Sequence, residues 1–462
     1  MRTLIQNGRI VTATENFLGD VLIEGEHIAA IGAPGSFAAL SCENVLDARD
    51  KYVLPGAIDV HTHMELPLPT TVASDDFETG TIAAACGGTT TILDFANQQR
   101  GKPISQALAS WHLKAANRAV IDYGFHMTIT DLASAPEEAL HQMIDEGITT
   151  FKLLMAYPGT FMVDDETIYR VLRQAAKLGA LVMVHAENGI AIDYIVRETL
   201  ARGHTEPRYH ALSRPALLEG EATQRVITLA TLVEAPLYIV HVSCAHSLQA
   251  VAAARMKGLR VWGETCPQYL YLDDSCYTAP AFESARYVCT PPLRHRSDNE
   301  ALWRGLQRRE LSVVSTDHAA FNFHGQKELG LDNFAQIPNG LPGVEHRVIL
   351  LYQGVRAGKL SLNHFVDLVS TMPARLFGLF PRKGTLAPGS DADLVIFDPE
   401  KKLTISAANQ HQRVDYTPYE GMTVQGAPET VLLRGRVIVR AGEYVGGAGG
   451  GQYLARQTFV TP

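Results

Sequence analysis

Eight apolar runs, each followed by a stretch with helical periodicity, constrain this chain more than any other feature. They are GAIDVHTH (56–63), TTTILDFA (89–96), YGFHMTI (123–129), TTFKLLMA (149–156), ALVMVHAE (180–187), LYIVHVS (237–243), LRVWGETC (259–266) and LSVVSTDHA (311–319). Runs of this length with little polar alternation suit strands covered on both faces. Their alternation with helices predicts parallel pairing through helical crossovers. Eight such units fit a closed (β/α)8 TIM barrel, with an open doubly wound sheet as the alternative. Helix edges are marked: Ser134 precedes PEEALHQMIDE, which stops at Gly147, and Asp164 precedes DETIYRVLRQAAKL, which stops at Gly179. These are N-cap and C-terminal glycine signals.

The two ends of the chain have a different texture. LIQNGRIVTA, GDVLIEGEHIAAIG and NVLDARDKYVLPG at the start resemble DADLVIFDP, KKLTI and ETVLLRGRVIVRAGEYV near the end. Short β-type runs broken by turn residues, with Asn7-Gly8 and Glu24-Gly25 at hairpin-like positions, predict a β-sandwich domain built from both termini. The expected division is 1–54 and 379–442 for the sandwich, 55–378 for the barrel and 443–462 for a C-terminal tail. Within that tail, VGGAGGGQY (445–453) reads as a flexible loop or linker. It is not a phosphate loop, because no GxxxxGK[ST] context surrounds it.

Composition narrows the function classes. Net charge is −9 with no basic stripe, so nucleic acid is not an expected partner. No run of 18 or more apolar residues exists and the start lacks a cationic-then-apolar leader, so neither a membrane span nor a signal peptide is expected. Six cysteines without a CxxC pair read as reduced, buried thiols, which points to the cytoplasm.

A barrel carries its chemistry at the C-terminal ends of its strands. There the runs deliver His61 and His63, Lys152, His185, His241 and Asp317 to one rim. His61 and His63 are two apart in a strand, so they share a face and can chelate one ion. A strand-end histidine alone more often bonds to backbone; four converging on one rim argue for metal. Lys152 interrupts an apolar run where a charged ammonium is costly to bury. Desolvation lowers a lysine pKa and makes the neutral amine available. Asp317 could cap a helix, bind metal or act as a base. Of the other histidines, His27, His112, His141, His204, His210, His364 and His411 sit in polar contexts and are expected to be solvated. His318 is expected behind the site, and Cys289 in packing.

The ordered blocks LPGAIDVHTHMELP, DDFETGTIAAACGGTTTILDFA, FKLLMAYPG, MVHAENG, VHVSCAHS, GETCPQYL, CTPPLR, STDHAAFNF, IPNGLPGVEHR and VDYTPYEGM resemble the dihydropyrimidinase and D-hydantoinase family of the amidohydrolase superfamily. The resemblance runs over nearly the whole chain. It implies a binuclear hydrolase that opens cyclic imides or ureides, dihydropyrimidines or hydantoins, to N-carbamoyl amino acids. It implies two divalent cations, Zn2+ with Mn2+ or Co2+ as alternatives. His61, His63 and Asp317 would hold one and His185 and His241 the other, with an N6-carboxylated Lys152 bridging both. It gives Asp317 as the proton carrier and Tyr157 as the oxyanion donor. Backbone groups at Thr290 and Asn339 would hold the ring, and Leu68, Leu154 and Phe161 would form an apolar gate. Thr290 stands where the family usually has serine, and Leu154 where an aromatic is common. A homotetramer is expected by the same analogy. The rivals are an allantoinase-type hydrolase and a metal-free scaffold of the collapsin response mediator type. Dihydroorotase would need an arginine after the HxH pair, and MELPLPTT has none.

Overall fold

The computed structural model describes residues 1–132, 136–459 and 461. The chain opens with β1 (Arg2–Val11), β2 (Asn16–Glu24), β3 (His27–Gly32), β4 (Asn44–Asp47) and β5 (Tyr52–Pro55). Eight strands follow: β6 (Ala57–Thr62), β7 (Thr89–Asn97), β8 (Asp122–Thr128), β9 (Thr150–Leu154), β10 (Leu181–His185), β11 (Leu237–Ile239), β12 (Val261–Thr265) and β13 (Val313–Val314). The chain returns through β14 (Leu394–Thr404), β15 (Thr423–Leu433), β16 (Arg436–Arg440) and β17 (Glu443–Tyr444).

Strands β6 to β13 pair in sequence order into one parallel sheet. A parallel bridge between Thr62 and His318 joins its two edges and closes the barrel. All eight apolar runs supply one strand each. The terminal strands form a separate nine-stranded sheet. Its halves meet where β5 lies parallel to β1 and antiparallel to β14, with Val53 opposite Ile396. This sheet carries its own apolar cluster, which includes Ile5, Ile10, Val21, Val53, Leu394 and Leu432. The β domain therefore draws on both termini, as its texture predicts.

Local signals behave unequally. Asp164 accepts from Thr167 N at 2.8 Å, and Gly179 ends helix Asp165–Leu178 in the left-handed region at φ 64°. Ser134 lies outside the described residues, and Gly147 closes the following helix at φ 79°. Glu24-Gly25 makes the β2–β3 turn. Asn7-Gly8 does not make a turn; it sits inside β1, where pairing with β2 slips between Ile5 and Gly8. The reason is packing: a Cβ at Gly8 would collide with the Val53 side chain, so the bulge brings β1 and β5 together.

The glycine-rich tail is not a free linker. Gly451 N donates to Ala119 O at 2.9 Å, Leu454 N to Tyr123 O at 2.7 Å and Phe459 N to Gly179 O at 2.8 Å. A Cβ at Gly449 would lie 2.6 Å from Asn117 O, so small residues here serve close backbone approach. Leu454 enters the apolar cluster of the barrel lumen beside Phe377 and Leu379, and Phe459 packs on Trp262. The tail thus straps the N-terminal end of the barrel and leaves the opposite rim for chemistry. No helix among the described residues is long and apolar enough to cross a membrane.

Candidate metal centre

Strand alternation explains half of the site. Leu181 and Met183 of β10 point into the lumen, and His185 follows on the same face. Trp262 precedes Glu264 in β12 in the same way. In β9, Phe151 and Leu153 pack outward, which turns Lys152 inward. Two of the histidines need irregular backbone instead. Ile58 and Val60 face the lumen, yet His61 does too, and β6 slips its pairing with β7 between Asp59 and Thr62. Val240 faces the lumen, and His241 joins it only because its backbone is left-handed, at φ 38°. Tyr157 (φ 67°) and Asp317 (φ 55°) are also left-handed. Such strain at non-glycine residues concentrates at functional sites.

His61 Nε2 and His63 Nε2 each lie 3.1 Å from the same oxygen, Asp317 Oδ1. Their donor atoms fall within 4.8 Å of one another, a spacing one cation can serve. His185 Nδ1 and His241 Nε2 face each other at 2.9 Å. His185 Nε2 points to Glu187 Oε2 at 2.8 Å, which leaves Nδ1 as the nitrogen turned toward His241. His61 Nδ1 likewise bonds to Glu264, leaving Nε2 turned toward Asp317. The imidazole rings of His61 and His241 are 5.5 Å apart, so the two donor groups share one basin. Lys152 is 4% exposed, with its nitrogen 5.2 Å from the Phe95 ring centre.

The electrostatics suit cations. Burial lowers His63; burial, helped by the Lys152 and Arg214 charges, lowers His185 against the pull of Glu187; and burial, with His185 and Lys152 beside it, lowers His241, so their lone pairs are available. Burial alone would lower His61, but the Glu264 and Asp317 carboxylates outweigh it and raise it to about 9. Burial would raise Asp317; His61 and His63 overcome that and hold it well below the carboxylate range. Burial lowers Lys152 to about 8 against opposing pulls from Asp317 and Glu264. Three imidazoles held neutral, an ionised carboxylate and His61, whose proton a cation would displace, converge in one buried basin and are a fitting donor set for divalent metal.

Next to this basin, Tyr157 lies by Thr290 and Asn339, and burial raises its phenol against the pull of Arg214 and of these two side chains, so it stays protonated. Its ring lies 5.7 Å from His185 and 6.4 Å from Phe161. Thr290 Oγ1 is 3.4 Å from His210 Nε2. Leu154 bridges to Met162 on this side. Leu68 packs elsewhere, with Ala73, Ala319 and Phe321, so the three gate residues do not form one contact cluster.

Several residues depart from their sequence reading. His210 is buried, not solvated, and donates to Cys289 O at 2.9 Å. His364 is buried as well, and His411 pairs with Glu345 at 2.8 Å. His318, by contrast, lies behind the basin as read, fully buried and bonded to Asp75 at 3.1 Å. Glu187 and Glu264 escaped notice as orienting groups. Each carried a signal: Glu187 is two residues from His185 on the same face, and Glu264, like Lys152, interrupts an apolar strand.

The profile of the Amidohydrolase family matches residues 52–438. The D-hydantoinase of Geobacillus stearothermophilus is 52% identical over 461 residues, 99% of this chain and 97% of that protein. The D-hydantoinase of Streptomyces coelicolor is 50% identical, over 99% of this chain and 98% of that protein. The crystal structure of dihydropyrimidinase from Brevibacillus agri NCHU1002 superposes with a TM-score of 0.98 at 50% identity, covering 100% of both chains.

Proposed function

The chain belongs to the amidohydrolase family and is a cyclic amide hydrolase of its dihydropyrimidinase and D-hydantoinase branch; we propose that it opens dihydropyrimidine or hydantoin rings to N-carbamoyl amino acids. The observation that carries this reading is the shared oxygen: Asp317 Oδ1 sits 3.1 Å from both His61 and His63 beside a second imidazole pair. On this reading His61, His63 and Asp317 would hold one divalent cation and His185 and His241 a second, with Lys152, as its carbamate, a further ligand. Zn2+ is the expected metal. When bound, the cations lower the pKa of a water and polarise a carbonyl.

The protein's own groups do the rest. Backbone groups at Thr290 and Asn339 hold the ring imide, and the Tyr157 hydroxyl donates to the carbonyl oxygen as charge develops there. Water attacks the ring carbonyl carbon. Asp317 takes the proton that water loses and passes it to the ring nitrogen, whose bond to carbon then breaks. Burial of Lys152 supports the carbamate, because a lysine near 8 keeps a usable neutral fraction at physiological pH. Leu154 and Phe161 border the exocyclic substituent, with Leu68 further round the rim. The same reading takes the domain bounds as 1–54, 55–378, 379–442 and 443–462. It takes the enzyme as a cytoplasmic homotetramer; the unpaired cysteines and the exposed Ile190, Tyr194, Leu212 and Leu217 are in keeping with it.

One metal-loaded preparation assayed on dihydrouracil, hydantoin, 5-substituted hydantoins and allantoin tests the reading. Ring opening of the first three over allantoin is expected; turnover of allantoin alone would overturn it. Lys152→Ala is expected to abolish turnover and lower bound metal. Near-normal turnover with full metal occupancy would rule out the bridging carbamate.

A further inference from the structure

Lys327 is 0% exposed and has no carboxylate within ion-pairing distance among the described residues. Its ammonium donates to Val288 O at 2.8 Å, Pro338 O at 2.7 Å and Gly340 O at 2.8 Å. An ammonium has three donors and no acceptor, so three carbonyls use it fully. Burial pulls it down to about 7, against an opposing pull from Cys289. A buried cation is costly, and an apolar residue would fill this space at less cost.

The positions of the three carbonyls give the cation a use. Val288 lies two residues before Thr290, and Pro338 and Gly340 flank Asn339. Val288 O also accepts from Gly340 N at 3.1 Å, so the two loops are tied directly as well. Gly340 has φ +150°, and a Cβ there would lie 2.5 Å from Ala319 O, two residues past Asp317. The adjacent Gln326 clamps the third loop. Its Nε2 donates to Thr71 Oγ1 at 2.7 Å and Val72 O at 2.8 Å, beside Leu68.

We infer that Lys327 is a positioning residue: its three hydrogen bonds fix the loops of Thr290 and Asn339 relative to each other, and so set the register in which the ring imide is held. This rests on the reading that backbone groups at Thr290 and Asn339 hold the ring. Lys327 touches no group assigned to metal, so its effect falls on substrate affinity.

The test compares wild type with Lys327→Met, both full-length and metal-loaded, using hydantoin and its 3-methyl derivative, whose imide N–H is blocked. The expected result for Lys327→Met is a KM for hydantoin raised about tenfold or more, with metal content unchanged and kcat within about threefold. Wild type should bind 3-methylhydantoin more weakly than hydantoin, and Lys327→Met should lose most of that discrimination. A purely structural lysine would lower the melting temperature and leave KM and discrimination as they were; that result overturns the inference. Wild type that binds both rings equally overturns the ring-holding reading, and the inference with it. Should Lys327→Met fail to fold, Lys327→Gln, which keeps two donors, carries the same comparison.

Discussion

Replacing Lys383 with methionine probes how the barrel and the terminal sheet are fastened. The Lys383 ammonium lies 2.6 Å from Asp122 Oδ2, 2.6 Å from Asp393 Oδ2 and 2.9 Å from Asp391 Oδ2. Asp122 opens β8 of the barrel, while Asp391 and Asp393 lead into β14 of the sheet. The other partners are unevenly shared: Arg434 pairs with Asp122, and Arg382 with Asp391 at 2.9 Å. Asp393 is left with the backbone N–H of Arg434 at 2.8 Å and, among the described residues, no second cation within ion-pairing distance. Methionine replaces the stem but strands this carboxylate. Breaking one side of a buried ionic cluster costs about 3–5 kcal/mol. With unfolding entropy near 2.1 cal/mol/K per residue over 462 residues, the melting temperature should fall by about 3–5 °C. The sign of the pH dependence follows. Burial already raises Asp393 above its ordinary value against the pull of Lys383, and losing the lysine raises it further. A carboxyl raised in the folded state destabilises at high pH and ceases to do so once it is protonated. The deficit should therefore be largest near pH 8 and shrink toward pH 5, and adding Asp393→Asn should recover much of it. Thermal unfolding across that range, with ring-opening rates at 25 °C as the control for the distant rim, is the assay. A fall below about 1 °C, or a deficit independent of pH, would refute the argument.

Three further outcomes are expected. Burial and the Arg214 charge lower His210 to about 3, so it stays neutral in the fold while the unfolded chain protonates near 6.5. Its contribution is intact above about pH 6.5 and is lost on acidification toward 3, by up to about 1.4 kcal/mol per pH unit; urea melts of His210→Asn should show a shallower acid limb, and parallel curves would contradict this. In Gly189→Ala the new Cβ would lie 2.6 Å from Ala156 Cα and 2.7 Å from Met155 O, displacing the Tyr157 loop. That variant should lose about 10–100-fold in kcat with its metal retained, as steady-state kinetics beside metal analysis would show. Leu454→Ala hollows the strapped end of the barrel, where Leu454 is 1% exposed, and should cost about 2–5 kcal/mol in denaturant unfolding without changing KM.

What the sequence revealed and what it hid divide along one physical line. Runs such as LVMVH and LYIVH declare themselves because a strand covered on both faces must be apolar throughout. The lysine in TTFKLLMA is conspicuous for the same reason; the glutamate in VWGETC carried the same signal and was passed over. Lys327 and His210 were hidden because their neighbours, GQKELG and RYHALS, are polar; their burial comes from distant loops folding over them. The tail misled for the converse reason. Glycine is read as freedom, yet at Gly449 and Gly451 the missing Cβ lets backbone approach backbone. The His61–His63 pair shares a face as its spacing requires, but the face it takes depends on a slip in β6 that no period of two foretells.

That slip belongs with the left-handed backbones of Tyr157, His241 and Asp317. Each non-glycine residue held there costs about 1–3 kcal/mol, and regular alternation would have turned His241 away from the lumen. The strain is therefore a condition for converging ligands from unlike strands, and something else must stabilise it. The structure puts that stabilisation at the other end: Phe377, Leu379 and Leu454 fill the lumen there, Phe459 caps Trp262, and Arg456 Nη2 bonds across to Thr150 at 2.8 Å. It follows that substitutions at the strapped end should be read as changes in melting temperature. Substitutions at the rim should be read as changes in kcat, KM or bound metal with little change in melting. A strap variant that altered KM while leaving stability intact would break this division.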